Sequence, residues 1–209
     1  MTNLQIQQAQ ELLAQTSRDL YARGYSDATS SNYSLKLNDD LIAISSSGIH
    51  KGKMTAQEIM LVDLNGKAVD SQLKPSAETL LHCQVYREYP EMACVLHTHS
   101  VAMTVLGKLT KGNALLFENY EMLKALEGIQ SHEVSVSLPI VENDQDMNRL
   151  SETLKPFFDR KDFWAYLIRG HGIYTWGKNL NICLRQIEAL EFIGKCELEI
   201  LKFKGISTT

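Results

Sequence analysis

Two histidines two residues apart, His97 and His99, close a β-prone run over residues 92–99. Side chains two apart on a strand share one face, roughly 6.5 Å apart along the chain, so two imidazoles can converge on one ion. A third histidine, His171, stands between Gly170 and Gly172, just beyond a second β-prone run. Glycines there permit a sharp turn and a close backbone approach. Three neutral nitrogen ligands with coordination positions left open describe a catalytic metal site, not a closed structural one. Imidazole suits zinc first, then iron, nickel or copper, with manganese behind them. The bland alternative is that the pair merely ends a strand, and His-x-His alone is a weak signal. His50, His82 and His132 have no such neighbours and read as structural residues.

A metal that polarises a carbonyl still needs groups to take and return a proton. Two glutamates are candidates. Glu78 follows Lys74-Pro75-Ser76-Ala77 in the first turn of an expected helix. Glu121 sits among Tyr120, Met122 and Leu123, an apolar setting that would raise its pKa towards neutrality. By sequence alone, a solvated helix carboxylate is the better reading for each. The loop over residues 45–48 and Ser76 offer hydroxyls, backbone N–H groups and a helix N-terminus, the parts a phosphate needs. Lys51 and Lys74 could add charge, although an ordinary loop and N-cap would look the same.

Elements must hold these residues. Residues 4–23 carry apolar groups at helical spacing, with Gly24 as a natural stop. Residues 33–37 alternate, turn at 38–40 and return over 41–44 as a hairpin. Thr55 and Glu58 form a capping box, and residues 60–69 read as a hairpin about Asn65-Gly66. Helices are expected from Pro75 to Glu88 with Ser76 as N-cap, to Leu106 after the histidine pair, and over 118–126. A strand over 133–136 should stop at Pro139, and a helix over 146–154 should end before Pro156. Strands at 165–168 and 173–175 flank His171, and a long helix fills 179–203. Hairpins with helices before, between and after them predict an α/β fold. Its form is a three-layer α/β/α sandwich around a largely antiparallel central sheet.

The 209 residues show no linker, repeat or low-complexity segment and read as one domain over 1–209. With 21 Lys+Arg against 25 Asp+Glu the net charge is −4, and no basic stripe invites nucleic acid or an anionic membrane. The N-terminus lacks a signal-peptide pattern, and no run of about 18 apolar residues could span a bilayer. Cys83, Cys94, Cys183 and Cys196 show no CxxC or framework spacing, so reduced thiols in the cytoplasm are expected.

Taken together, the segments at 29–34, Ser47-Gly48, KPSAETLLH at 74–82, LHTHS at 96–100 and IRGHGIYTWG at 168–177 resemble the class II aldolase/adducin family over nearly the whole chain. The resemblance implies one zinc ion per subunit on His97, His99 and His171. It places Asn32, Ser47, Gly48 and Ser76 around a phosphate. YEMLKAL at 120–126 is similar to a segment of the family's dehydratases, with Tyr120 in place of the usual glutamine, and implies Glu121 as catalytic acid/base. Glu78 matches the aldolases' catalytic carboxylate. The implied reaction is loss of water from a methylthio-pentulose 1-phosphate in methionine salvage. Sugar-phosphate aldolase or pentulose-phosphate 4-epimerase chemistry, and a non-enzymatic adducin-like module, are the alternatives. A homotetramer is implied by the same analogy. Ser31 departs from the family's Ser-Gly-Asn, which should reshape the phosphate pocket slightly.

Overall fold

The computed structural model describes residues 2–69, 72–160 and 162–206. Helix α1 (Asn3–Ala22) opens behind a capping box between Thr2 and Gln5 and buries Leu13 and Leu20. Strands β1 (Asn32–Lys36) and β2 (Ile42–Ser45) form the expected hairpin, and β3 (Ile59–Val62) follows the Thr55–Glu58 capping box. Then come α2 (Thr79–Glu88), β4 (Cys94–Thr98), α3 (Val101–Leu109), β5 (Ala114–Glu118) and β6 (Ser135–Val141). The chain closes with α4 (Met147–Phe158), β7 (Ala165–Ile168), β8 (Gly172–Gly177) and α5 (Leu180–Ile206).

The strands form an eight-stranded sheet in the order β3-β2-β1-β4-β8-β7-β6-β5. Only β6 and β7 pair in parallel, so the sheet is largely antiparallel, as expected. Strand periodicity splits the apolar side chains between two clusters. Cys94, Leu96 and Ile173 join Leu20 of α1, Met103 of α3 and Ile187 of α5. Val95, Tyr174 and Trp176 join Leu81 of α2 and Leu154 of α4. The central strand β4 therefore sends His97 to the α2 side and Thr98 to the α5 side. The four cysteines are free thiols.

Several expectations need correction. Residues 118–126 are not a helix: β5 ends at Glu118, and only a 3₁₀ turn, Glu121–Ala125, follows. Strand β6 runs through Pro139. Ile140 N–H donates to Asn113 O towards β5, so the Pro139 nitrogen faces the β7 flank, where pairing begins only at Ile140. A missing donor costs no ladder bond there. Helix α4 includes Pro156 in its last turn and continues to Phe158, whose ring packs against Phe163 and Trp176. The expected return strand after Asn65-Gly66 is a single bridge, Val62 to Ala68. Ser76 is not the N-cap of α2, because the helix starts at Thr79 with Glu78 in the cap position.

Candidate active site

Register on β4 decides what surrounds His97. It pairs with Asn32 of β1 on one side and Tyr174 of β8 on the other. His97 is fully buried, stacked on the Tyr174 ring at 3.9 Å. Its Nδ1–H donates to Ile173 O at 3.0 Å; a carbonyl can only accept, so Nε2 keeps its lone pair. His99 lies just past the strand end, where its backbone N–H donates to Tyr25 O. The Nε2 atoms of the two histidines stand 2.7 Å apart.

His171 arrives from the turn between β7 and β8. Thr104 Oγ1 donates to its carbonyl at 2.9 Å, and the Arg169 guanidinium donates to the carbonyls of Gly107, Thr110 and Gly112. The turn is thereby stapled to α3 and the loop behind it. Gly170 has φ +65, in the left-handed region. Gly172 passes so close to β4 that an added Cβ would lie 2.1 Å from Thr98 O. Both flanking glycines are thus needed to bring His171 to the pair.

Glu78, at the start of α2, meets the histidines from the other side. Its Oε1 is 3.0 Å from His171 Nε2, and its Oε2 is 3.4 Å from His97 Nε2. Oε2 also accepts from Asn32 Nδ2 at 2.5 Å and from the Tyr174 hydroxyl at 3.1 Å. One ligand atom from each of Glu78, His97, His99 and His171 lies within 4.8 Å of all the others. Burial drives the His97 pKa well below the imidazole range and takes His99 down to about 4. Burial pushes Glu78 up, but His97, His171 and the Asn32 amide outweigh it and hold the carboxyl well below its usual range. The residues fit a divalent metal. Three imidazoles and one carboxylate converge on a single point, a nitrogen-and-oxygen donor set of the kind a divalent cation takes.

A polar cavity of about 160 Å³ opens beside His99. It brings together all four phosphate candidates, Asn32, Ser47, Gly48 and Ser76, with Glu78. The N–H groups of Ser46 and Ser47 are already taken by Glu58 O and Lys74 O, so the loop presents mainly hydroxyls. Ser31 has φ +72, the left-handed conformation that glycine adopts freely, so the chain path of a glycine is kept there.

Glu121 is not among the groups that converge. Its carboxylate is 69% exposed, paired with Lys124 and His132 on the 3₁₀ turn. Lys124 lowers its pKa, contrary to the rise expected from its apolar neighbours in sequence.

His82 and Tyr174 were missed by sequence reasoning. His82 is fully buried, contacts Ser34 Oγ through Nδ1 at 2.7 Å, and bonds Asn32 Oδ1 through Nε2. Since Asn32 in turn donates to Glu78, His82 orients the carboxylate through one intermediary. The four-residue spacing of Glu78 and His82 on one helix face was the available signal. Tyr174 had none, because only strand register brings it to His97.

Residues 11–198 match the family described as Class II Aldolase and Adducin N-terminal domain. The chain belongs to this family. Within it, the chain is 48% identical over 198 residues to the methylthioribulose-1-phosphate dehydratase of Marinobacter nauticus, covering 94% of this chain and 95% of that protein. It is 50% identical over 188 residues to the enzyme of the same name from Hahella chejuensis, covering 89% and 90%. Among solved structures, YgbL from Klebsiella pneumoniae superposes with a TM-score of 0.80 at 25% identity, covering 93% of this chain and 90% of that one. The L-fuculose-1-phosphate aldolase of Thermus thermophilus superposes at 0.73 with 19% identity over 100% of both chains, a likeness of fold. No described helix is long and apolar enough to cross a membrane.

Proposed function

We propose that this chain dehydrates 5-methylthioribulose 1-phosphate to 2,3-diketo-5-methylthiopentyl 1-phosphate, a step of methionine salvage. One observation carries the reading: His97, His99, His171 and Glu78 converge beside a hydroxyl-lined cavity. Near full-length likeness to proteins named for this reaction supports it. We take residues 1–209 as one domain, a three-layer α/β/α sandwich; the two apolar clusters, each pairing strand and helix residues, support the layering. We further propose zinc as the ion, one per subunit, in a cytoplasmic homotetramer that engages neither nucleic acid nor membrane.

A divalent ion bound by the histidines supplies Lewis acidity to a substrate carbonyl and the hydroxyl beside it. Ser47, Gly48 and Ser76, with Asn32 at their edge, surround the phosphate. Glu78 has both oxygens engaged, by His171 on one and by Asn32 and Tyr174 on the other, which suits it to hold the histidine set. Proton transfer then falls to Glu121. It takes the proton from C3 and returns it to the C4 hydroxyl, which departs as water, and the resulting enol becomes the diketone. Glu121 is exposed and paired outside its own histidine cluster, and we assign it to a site that a neighbouring subunit of the proposed tetramer completes.

The test is to incubate metal-loaded protein with methylthioribulose 1-phosphate and detect a product lighter by one water. Unchanged substrate would sink the proposal. Glu121→Gln should abolish the mass change, whereas aldolase or epimerase chemistry based on Glu78 would survive it. Full dehydratase activity in that variant would reject the role given to Glu121.

A further inference from the structure

Lys51 is 1% exposed, an unusual position for an ammonium group. Its Nζ donates to Thr29 O at 3.2 Å and Ile49 O at 3.0 Å. An ammonium has three donors, so two carbonyls leave one for another acceptor. Among the described residues no carboxylate lies within ion-pair distance of it. Burial lowers its pKa to about 8, which the charge of Glu78 partly offsets. A buried cation without a counter-ion is costly, and here the cost falls on the wall of the polar cavity. Lys51 lines that cavity together with Ser47, Gly48, Ser76 and His99. Ser46 lines it too; its residue is 3% exposed and its Oγ has no hydrogen-bond partner. One spare ammonium donor and one buried, unpartnered hydroxyl therefore belong to residues that line the same small space.

We propose that Lys51, with Ser46 beside it, is the charged anchor of the cavity and makes the site select phosphorylated over unphosphorylated sugars. An incoming phosphate supplies both things the fold leaves missing: a negative charge for the ammonium and an acceptor for the two donors. The inference rests on the proposed substrate for its identity as a sugar phosphate, but anion capture can be measured without turnover.

Binding of inorganic phosphate is measured by calorimetry at equal metal content in the parent, Lys51→Met and Ser46→Ala proteins. Lys51→Met should weaken phosphate by about tenfold to a hundredfold, the usual worth of a charge-assisted hydrogen bond. Ser46→Ala, which buries no new charge and removes an unpaired hydroxyl, should weaken it by about threefold to tenfold. With methylthioribulose 1-phosphate, Lys51→Met should raise KM far more than it lowers kcat. The preference for that substrate over unphosphorylated methylthioribulose should collapse in parallel. Parent-like phosphate affinity in Lys51→Met overturns the proposal, as does a kcat defect with phosphate binding intact. Should Lys51→Met fail to fold, parent-like affinity in Ser46→Ala overturns the subsite as drawn. A parent that binds phosphate through Lys51 yet releases no water from its substrate refutes the dehydratase reading and leaves the subsite standing.

Discussion

Oε1 of Glu78 lies 3.0 Å from Nε2 of His171, joining the residue that precedes α2 to the turn between β7 and β8. Two segments more than ninety residues apart thus meet across the end of the sheet, with His97 between them. Glu78→Gln keeps the shape but removes the charge that faces the imidazoles. Divalent-metal affinity should fall about tenfold to a hundredfold, as for lost partners of metal ligands. Competition with a chromophoric chelator measures it, and unchanged affinity would remove Glu78 from the metal site.

Gly172 leaves no room for a side chain. A Cβ there would lie 2.1 Å from Thr98 O, a backbone atom that no rotamer change can move. Gly172→Ala should cost about 1–3 kcal/mol through overpacking. It should also lower metal stoichiometry by pushing His171 away from the pair. Urea midpoints and metal analysis on one preparation check both effects. A variant that is stable and fully metallated would contradict the packing described.

Ser31 holds a backbone conformation that costs a non-glycine residue about 1–2 kcal/mol. Its hydroxyl recovers part of this by donating to Tyr25 O at 3.3 Å. Ser31→Gly should therefore leave stability within about 1 kcal/mol of the parent and leave kcat/KM essentially unchanged. A marked rise in KM would mean that the Ser31 hydroxyl touches the substrate.

Acid should unfold the metal-free protein early. Burial takes His82 down to about 3 and His99 to about 4, whereas in the unfolded chain they titrate near the ordinary 6.5. Below pH 6.5 the unfolded chain binds more protons than the folded one, so stability falls as pH drops. The fall spans about pH 6.5 to 3, given these values. Glu78, held as a carboxylate, adds a further loss below its own ordinary range. Denaturant midpoints at pH 7 and pH 5 provide the measurement. Equal midpoints would show that these imidazoles are not buried neutral.

Much of the site was legible because its signals are local. A period of two at a strand end gave His97 and His99 a common side, and two glycines marked the turn that carries His171. The loop hydroxyls and Ser76 stood out by residue type alone, and α1, the β1–β2 hairpin and α5 followed from periodicity and stop residues. Strand β5 was hidden because it buries Leu115 and Phe117 yet exposes Leu116, so its hydropathy does not alternate with its burial. Partnership was equally out of reach. Register on β4 set Tyr174 against His97, and the packing of α2 against the sheet brought Glu78, and not Glu121, to the histidines. Lys51 stood level with Lys74 as a source of charge for a phosphate until the fold buried it. A side chain's type and local period are written in its near neighbours, but its burial and its partners depend on chain returning from far away. The amino-acid sequence therefore determined which groups could bind an ion and a phosphate, while the tertiary structure decided which of them meet.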